Sequence, residues 1–230
     1  TIPSVDKIVG PGNIYTSAAK KIVSTSVSID FMAGPSEVLI IADDNADPRK
    51  VALDVMAQAE HDSDAASVVV TNSLNLAKEI GKEVEIVLED AERRRTASES
   101  LKKHGLVVVV ESLDRAISFA NDYAPEHLEI MTENPESVLS KIQNAGAVFL
   151  GPYSPTAAGD FAVGPSHILP TGGDARRFDG ITVQDFIKSP SVQRLTRKGL
   201  KSLSEVIERL AEMEGLPAHA MSVRERLKEG

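Results

Sequence analysis

At 230 residues, with 42% hydrophobic and 26% charged residues, the chain has the makeup of a globular protein with room for one large domain, or a domain and a small appendage. A formal net charge of -9 argues against a general nucleic-acid surface, and the lack of cysteine excludes disulfides and thiolate metal sites and favours an intracellular setting. No apolar run approaches the roughly 20 residues that span a membrane, the opening residues are not expected to be a signal peptide, and a start at Thr1 inside an already patterned segment points to a piece of a longer protein.

Val5-Asp6-Lys7-Ile8-Val9 reads as a short strand running into Gly10-Pro11-Gly12-Asn13, with helical spacing from Ile14 to about Val23. A strand, a glycine turn and a helix start gather free backbone N–H groups, as a phosphate site does. The full dinucleotide fingerprint would need a third glycine and a later acidic residue, so a structural turn is the favoured reading. After Ala33-Gly34-Pro35-Ser36, the apolar run Glu37–Ala42 has the texture of a strand covered on both faces. Asp47-Pro48 starts a helix, with Asp47 as N-cap and proline at the first helical position. Ser67–Thr71 is the next strand, and a long charged helix is expected from about Leu74 to Lys103. Leu106–Val110 is a third strand, and Leu113 to about Ala120 a short helix. Asn134-Pro135 opens another helix that Gly146 ends, and Ala147–Leu150 is a further strand. This alternation argues for a mainly parallel sheet covered on both sides by helices.

From Gly151 to about Gly180 glycine, proline and polar residues dominate, a texture that in a compact protein is more often functional than idle. Val192, Leu195, Gly199, Leu203, Val206, Ile207 and Leu210 then fall on one helical face. Gly215-Leu216-Pro217 stops that helix before a last amphipathic stretch. The tail is too small for a core of its own and is expected to pack on another surface, such as a second subunit.

The candidate chemistry centres on Tyr123-Ala124-Pro125-Glu126-His127-Leu128-Glu129. Pro125 should end the preceding helix, and Leu128–Met131 alternates as a short strand. Glu126 and His127 therefore sit at a junction at one end of a strand, where a histidine can move a proton and a carboxylate can orient it or activate a water. A solvated surface pair is the bland alternative. Gln58 and His61, spaced i, i+3 at a helix end and followed by Asp62, offer oxygen and imidazole donors to a divalent metal. On spacing alone, an ordinary helix C-terminus carrying a histidine near its dipole is the favoured reading. His167 lies in the glycine- and proline-rich stretch shortly after Asp160, and His219 in the turn following Glu214. His104 reads as a helix C-terminal residue beside a glycine cap, without function. On residue chemistry alone, a metalloenzyme with a Glu–His pair and a binding module with loop histidines both stand.

Val5-Asp6-Lys7-Ile8-Val9-Gly10-Pro11-Gly12-Asn13, Ala33-Gly34-Pro35-Ser36-Glu37-Val38, Gln58-Ala59-Glu60-His61-Asp62 and the Glu126-His127 motif stand in the order seen in the histidinol dehydrogenase family. Gly159-Asp160, His167-Ile168-Leu169-Pro170-Thr171-Gly172-Gly173 and Glu214-Gly215-Leu216-Pro217-Ala218-His219 continue the match, so the chain resembles that family over essentially its whole length. The resemblance implies a cytoplasmic homodimer that oxidises L-histidinol to L-histidine in two NAD-dependent steps, with one zinc ion per site. It implies zinc ligands Gln58, His61, Asp160 and His219, the last crossing from the partner subunit. His127 would be the general base and Glu126 the residue that activates water for the aldehyde step. Ser36, His167 and Glu214 would hold substrate beside the zinc ligands and His127, and Asn13 would touch NAD.

The fold it implies is an incomplete Rossmann-like, mainly parallel sheet covered by helices. Residues 1-35 would end a second nucleotide-like domain, 36-173 would carry the site, and 174-230 would be a helical dimerisation domain. Family members are roughly twice this length, so activity of this polypeptide alone is in question. The alternatives are a zinc-dependent hydrolase using the same pair, and an inactive fragment that only binds a partner. Neither a nucleic-acid nor a membrane partner is expected.

Overall fold

Five runs of aliphatic residues lie side by side in the computed structural model, which describes residues 3–10, 12, 14–32 and 34–228. They are β3 (Glu37–Ala42), β4 (Ala66–Thr71), β5 (Gly105–Val109), β6 (His127–Met131) and β7 (Ala147–Leu150), in the order β5-β4-β3-β6-β7, with every pairing parallel. The expected Rossmann-like sheet is therefore what the chain forms. Before it, β1 (Lys7–Ile8), α1 (Ile14–Val23) and β2 (Ser28–Ile29) make a separate two-stranded parallel unit.

Alternation along each strand divides the core between the two faces. Leu39, Ile41, Val70, Leu128 and Ile130 pack with Ala116, Ile117 and Ala120 of α5 (Leu113–Tyr123) and Val138 of α6 (Pro135–Leu139). Val38, Ile40, Val69 and Met131 pack instead with Val51 and Val55 of α2 (Pro48–Ala59) and Leu76 and Ile80 of α3 (Leu74–Asp90). Each such side chain contributes about 1.5–3 kcal/mol when fully buried, and only crossover helices on both faces can bury all of them. Asp47 caps α2 as expected, its carboxylate accepting from the Arg49 and Lys50 N–H groups.

Several elements differ from expectation. The long charged helix is two, α3 and α4 (Arg94–His104), parted at Ala91, whose extended backbone breaks the ladder. A single helix of that length would overshoot the sheet, whereas α4 folds back to deliver β5 beside β4. Gly105 caps α4 after His104 as expected, in extended backbone that opens β5, and a Cβ there would meet Leu101 O at 2.5 Å. The helix begun at Pro135 ends at Leu139, well short of Gly146. The irregular stretch holds a short helix, α7 (Thr156–Phe161). At Gly10 the backbone N–H is not free for a phosphate, since it donates to Asp30 Oδ2 at 2.8 Å.

The chain packs as two units, residues 1–186 and 187–230. In the second, α8 (Arg197–Met213) and α9 (Pro217–Lys228) bury Ala211, Ala220 and Val223. Thr196 caps α8, so Val192 and Leu195 precede the helix rather than sharing its face. Gly215, at φ +72, stops α8 as expected. Leu203, Val206 and Leu210 remain exposed within this unit. No helix among the described residues is long and apolar enough to cross a membrane.

Candidate active site

The register of β3 against β6 sets Val38 opposite His127, which brings Glu37 and Glu126, one residue earlier on each strand, side by side. Both strands begin here, so the site lies at the amino edge of the sheet, not at the carboxyl edge where open α/β sheets usually bind ligands. The approach to Glu126 is shaped by Ala124, the non-glycine residue with positive φ among those described, at φ 54 and ψ 62. That left-handed cap ends α5 and turns the chain through Pro125 into β6.

Glu126 Oε2 accepts from Ser36 Oγ at 2.7 Å and from the Glu37 N–H at 2.9 Å, and stands 3.5 Å from His127 Nδ1. His127 Nδ1 also lies 3.1 Å from the Glu37 carbonyl oxygen. Two acceptors around Nδ1 place the ring proton there and leave the Nε2 lone pair to face the cavity, 3.9 Å from Asp160 Oδ1. Burial pulls the His127 pKa down, but the hydrogen bond and charge of Glu126, the Glu37 carbonyl and the charge of Asp160 together raise it above the ordinary histidine value. A buried histidine ordered by a carboxylate, with one nitrogen free, is equipped to take a proton from a substrate.

Glu37 holds this arrangement from behind. Its carboxylate, 7% exposed, accepts from the Gly172 N–H at 2.9 Å, Tyr123 OH at 3.2 Å and the Glu126 N–H at 3.3 Å. Burial raises its pKa, these three donors oppose the rise, and the neighbouring Glu126 charge adds to it. Tyr123 stays protonated as a donor, since burial and the Glu37 charge push its pKa up. Gly146 is confined by the same cluster: a Cβ there would meet Glu126 O at 2.6 Å and Leu169 Cβ at 3.3 Å. Gly146→Ala is expected to cost about 1–3 kcal/mol by overpacking. The check is a lowered urea midpoint with an unchanged m-value.

Two cavities flank Asp160. One of about 290 Å³ is lined by His127, Phe149, Asp160 and His167, among others. The second, about 170 Å³, is lined by Gln58, His61, Thr156 and Asp160 among others. The structure thus brings together Ser36, Glu126, His127, Asp160 and His167, and sets Gln58 and His61 around the adjoining cavity. Among the described residues no three His, Asp or Glu side chains gather closely enough to hold a metal by themselves. The donor set nevertheless fits zinc: Gln58, buried, carries an amide oxygen that can ligate a divalent ion, and it shares the cavity with an imidazole and a carboxylate. Glu214 caps α8 and His219 lies in the first turn of α9, both exposed and both in the second unit. Asn13 lies outside the described residues.

Sequence reasoning gave no role to Glu37, Asp54 or Thr156, nor to Glu129 beyond a strand position. The available signal was an acid inside a strand covered on both faces, at Glu37 in β3 and Glu129 in β6. Such a group survives burial only with partners.

The family model for histidinol dehydrogenase matches residues 1–227. The histidinol dehydrogenase of Methanothermobacter thermautotrophicus is 53% identical over 229 residues, covering 100% of this chain and 54% of that protein. The enzyme of that name from Aquifex aeolicus is 49% identical over 225 residues, covering 98% of this chain and 53% of that protein. Among solved structures, histidinol dehydrogenase from Elizabethkingia anophelis superposes with a TM-score of 0.96 at 44% identity, covering 99% of this chain and 53% of that one. The chain spans about half the length of the curated relatives it matches.

Proposed function

The chain belongs to the histidinol dehydrogenase family, and from that membership we propose that it carries the zinc and acid–base centre of a cytoplasmic enzyme of histidine biosynthesis. The reaction is the oxidation of L-histidinol to L-histidine through the aldehyde, in two steps. The observation that carries this reading is the buried Glu126–His127 pair, with the free His127 Nε2 facing Asp160 beside the cavity of Gln58 and His61.

His127 takes the hydroxyl proton as hydride leaves the alcohol carbon, and Glu126 activates the water that adds to the aldehyde before the second hydride leaves. Ser36, His167 and Glu214 hold the substrate together with His127 and the metal ligands, and most of the rate comes from orienting the reacting carbon. Gln58, His61 and Asp160 would hold zinc with His219 of a second copy of the chain, and the ion would act as a template for the imidazole and amine of the substrate. NAD, in contact with Asn13, would be the hydride acceptor. In this reading residues 1-35 end a second nucleotide-like domain, 36-173 carry the site and 174-230 make the homodimer. Neither nucleic acid nor membrane takes part.

The test is NADH formation from L-histidinol with added zinc, by the chain alone and by the chain joined to the N-terminal half that its relatives possess. Two NADH per histidine formed, abolished by a chelator, is the expected result with that half present. Product formation without NADH would overturn the reading.

A further inference from the structure

A carboxylate inside a strand covered on both faces needs partners, and those of Glu129 tie three elements together. Glu129 is fully buried. Leu128 and Ile130 face α5, so Glu129, like His127 two residues before it, faces the α2 side. Its Oε1 accepts from the Thr156 N–H at 2.8 Å. Thr156 opens α7, whose N-cap Pro155 has no side chain able to satisfy that donor. Glu129 Oε2 has no donor, and the group facing it is another acceptor, the Asp54 carboxyl of α2. A proton carried by one of the two carboxyls supplies the missing donor. Burial, then the charge of Asp54, pushes Glu129 up to about 8, and burial pushes Asp54 up to about 6.

Each of the three elements carries, within four residues of its contact in this cluster, a residue of the site. Asp54 lies one helical turn before Gln58 on α2. Glu129 lies two residues after His127 on β6, on the same face. Thr156 lies one turn before Asp160 on α7. We propose that Asp54 and Glu129, sharing one proton, are positioning residues that fix α2, β6 and α7 against one another and so set the spacing of Gln58, His127 and Asp160. This rests on the assignment of Gln58 and Asp160 as zinc ligands. Thr156 and Asp54 are the polar groups acting on Glu129, the first uncharged, so the charge balance is set by the two carboxyls. The folded value of Glu129 lies above its ordinary 4.5, so its contribution is fully present below 4.5 and is lost as pH rises through about 8.

The experiment follows hydrogen exchange of the α7 amides, corrected for the intrinsic rate, in the full chain from about pH 6 to about pH 9. Protection in the native chain should fall as pH rises from about 6 and level off above about 8. Glu129→Gln retains an acceptor for Thr156, offers Asp54 a permanent donor and removes the group that titrates near 8, so it should hold protection level across the range, while Asp54→Asn, which leaves Glu129 buried, should weaken the dependence. Glu129→Ala should reduce protection at every pH. It should also weaken Zn2+ binding by about 10- to 100-fold in competition with a chromophoric chelator, while Glu129→Gln stays near native. Native-like α7 protection in Glu129→Ala, or pH-independent protection in the native chain, would overturn the proposal. If Glu129→Ala does not fold, an unaltered pH dependence in both amide variants overturns it, and a levelled one in Glu129→Gln supports it. Failure of the native chain to bind Zn2+ would count against the ligand assignment, while the exchange data still decide whether the pair holds α7.

Discussion

Replacing His127 by asparagine in the chain joined to the N-terminal half that its relatives possess is expected to slow both oxidations by about 10²- to 10⁴-fold, the range of a general base. The asparagine amide can still donate to the Glu37 carbonyl, where His127 Nδ1 now stands at 3.1 Å. What it lacks is a second nitrogen in the position of Nε2, the one facing Asp160 and the cavity. Fold and zinc affinity should therefore persist while the chemistry fails. The measurement is single-turnover NADH formation from L-histidinol and from L-histidinal, alongside a chelator competition for Zn2+. Turnover within tenfold of the native enzyme would remove His127 from the role of base.

Glu126→Gln should separate the two half-reactions. A glutamine Oε1 can keep the hydrogen bonds now given by Ser36 and the Glu37 N–H, so the strand junction stays closed. The charge that activates water and faces His127 is lost. Aldehyde oxidation, which consumes a water, is expected to fall by about 10²-fold or more, and alcohol oxidation by clearly less. Equal losses in the two steps would assign Glu126 to orienting His127 and not to water.

The sheet was legible because its strands are written in valine and isoleucine and its helix starts in Asp47-Pro48 and Asn134-Pro135, signals that act within a few residues. The break between α3 and α4 was not. Ala91-Glu92-Arg93 contains neither glycine nor proline, and one long helix or two would show the same periodicity. The six residues of α7 were hidden for a related reason: the group that satisfies their first N–H is Glu129, 27 residues away in sequence. The alternation in Leu128-Glu129-Ile130 reads as a half-exposed strand, and only the placing of α2 over that face makes Glu129 an interior acid. For the site, the motifs singled out Ser36, Glu126, His127 and Asp160, which the fold brings near one another. What no local pattern could supply is that the amino edge of the sheet, through the β3–β6 register, is where Ser36, Glu37 and Glu126 meet.

That register also orders events in time. Ser36 and Glu126 are 90 residues apart in the chain, and Glu37 and Gly172 are 135 apart. Strands β3, β4 and β5 with their crossover helices can assemble as a contiguous block, yet that block lacks the Glu126–His127 pair. The centre comes into being when β6 docks on β3 and the Gly172 loop closes on Glu37, the contacts with the largest loop-closure entropy and hence among the last to form. On dilution from denaturant, the far-ultraviolet signal should recover before the environment of Tyr123 does. A ribosome-bound chain cut short before β6 would carry much of the helix, with Ser36, Gln58 and His61 but without Glu126, His127 and Asp160.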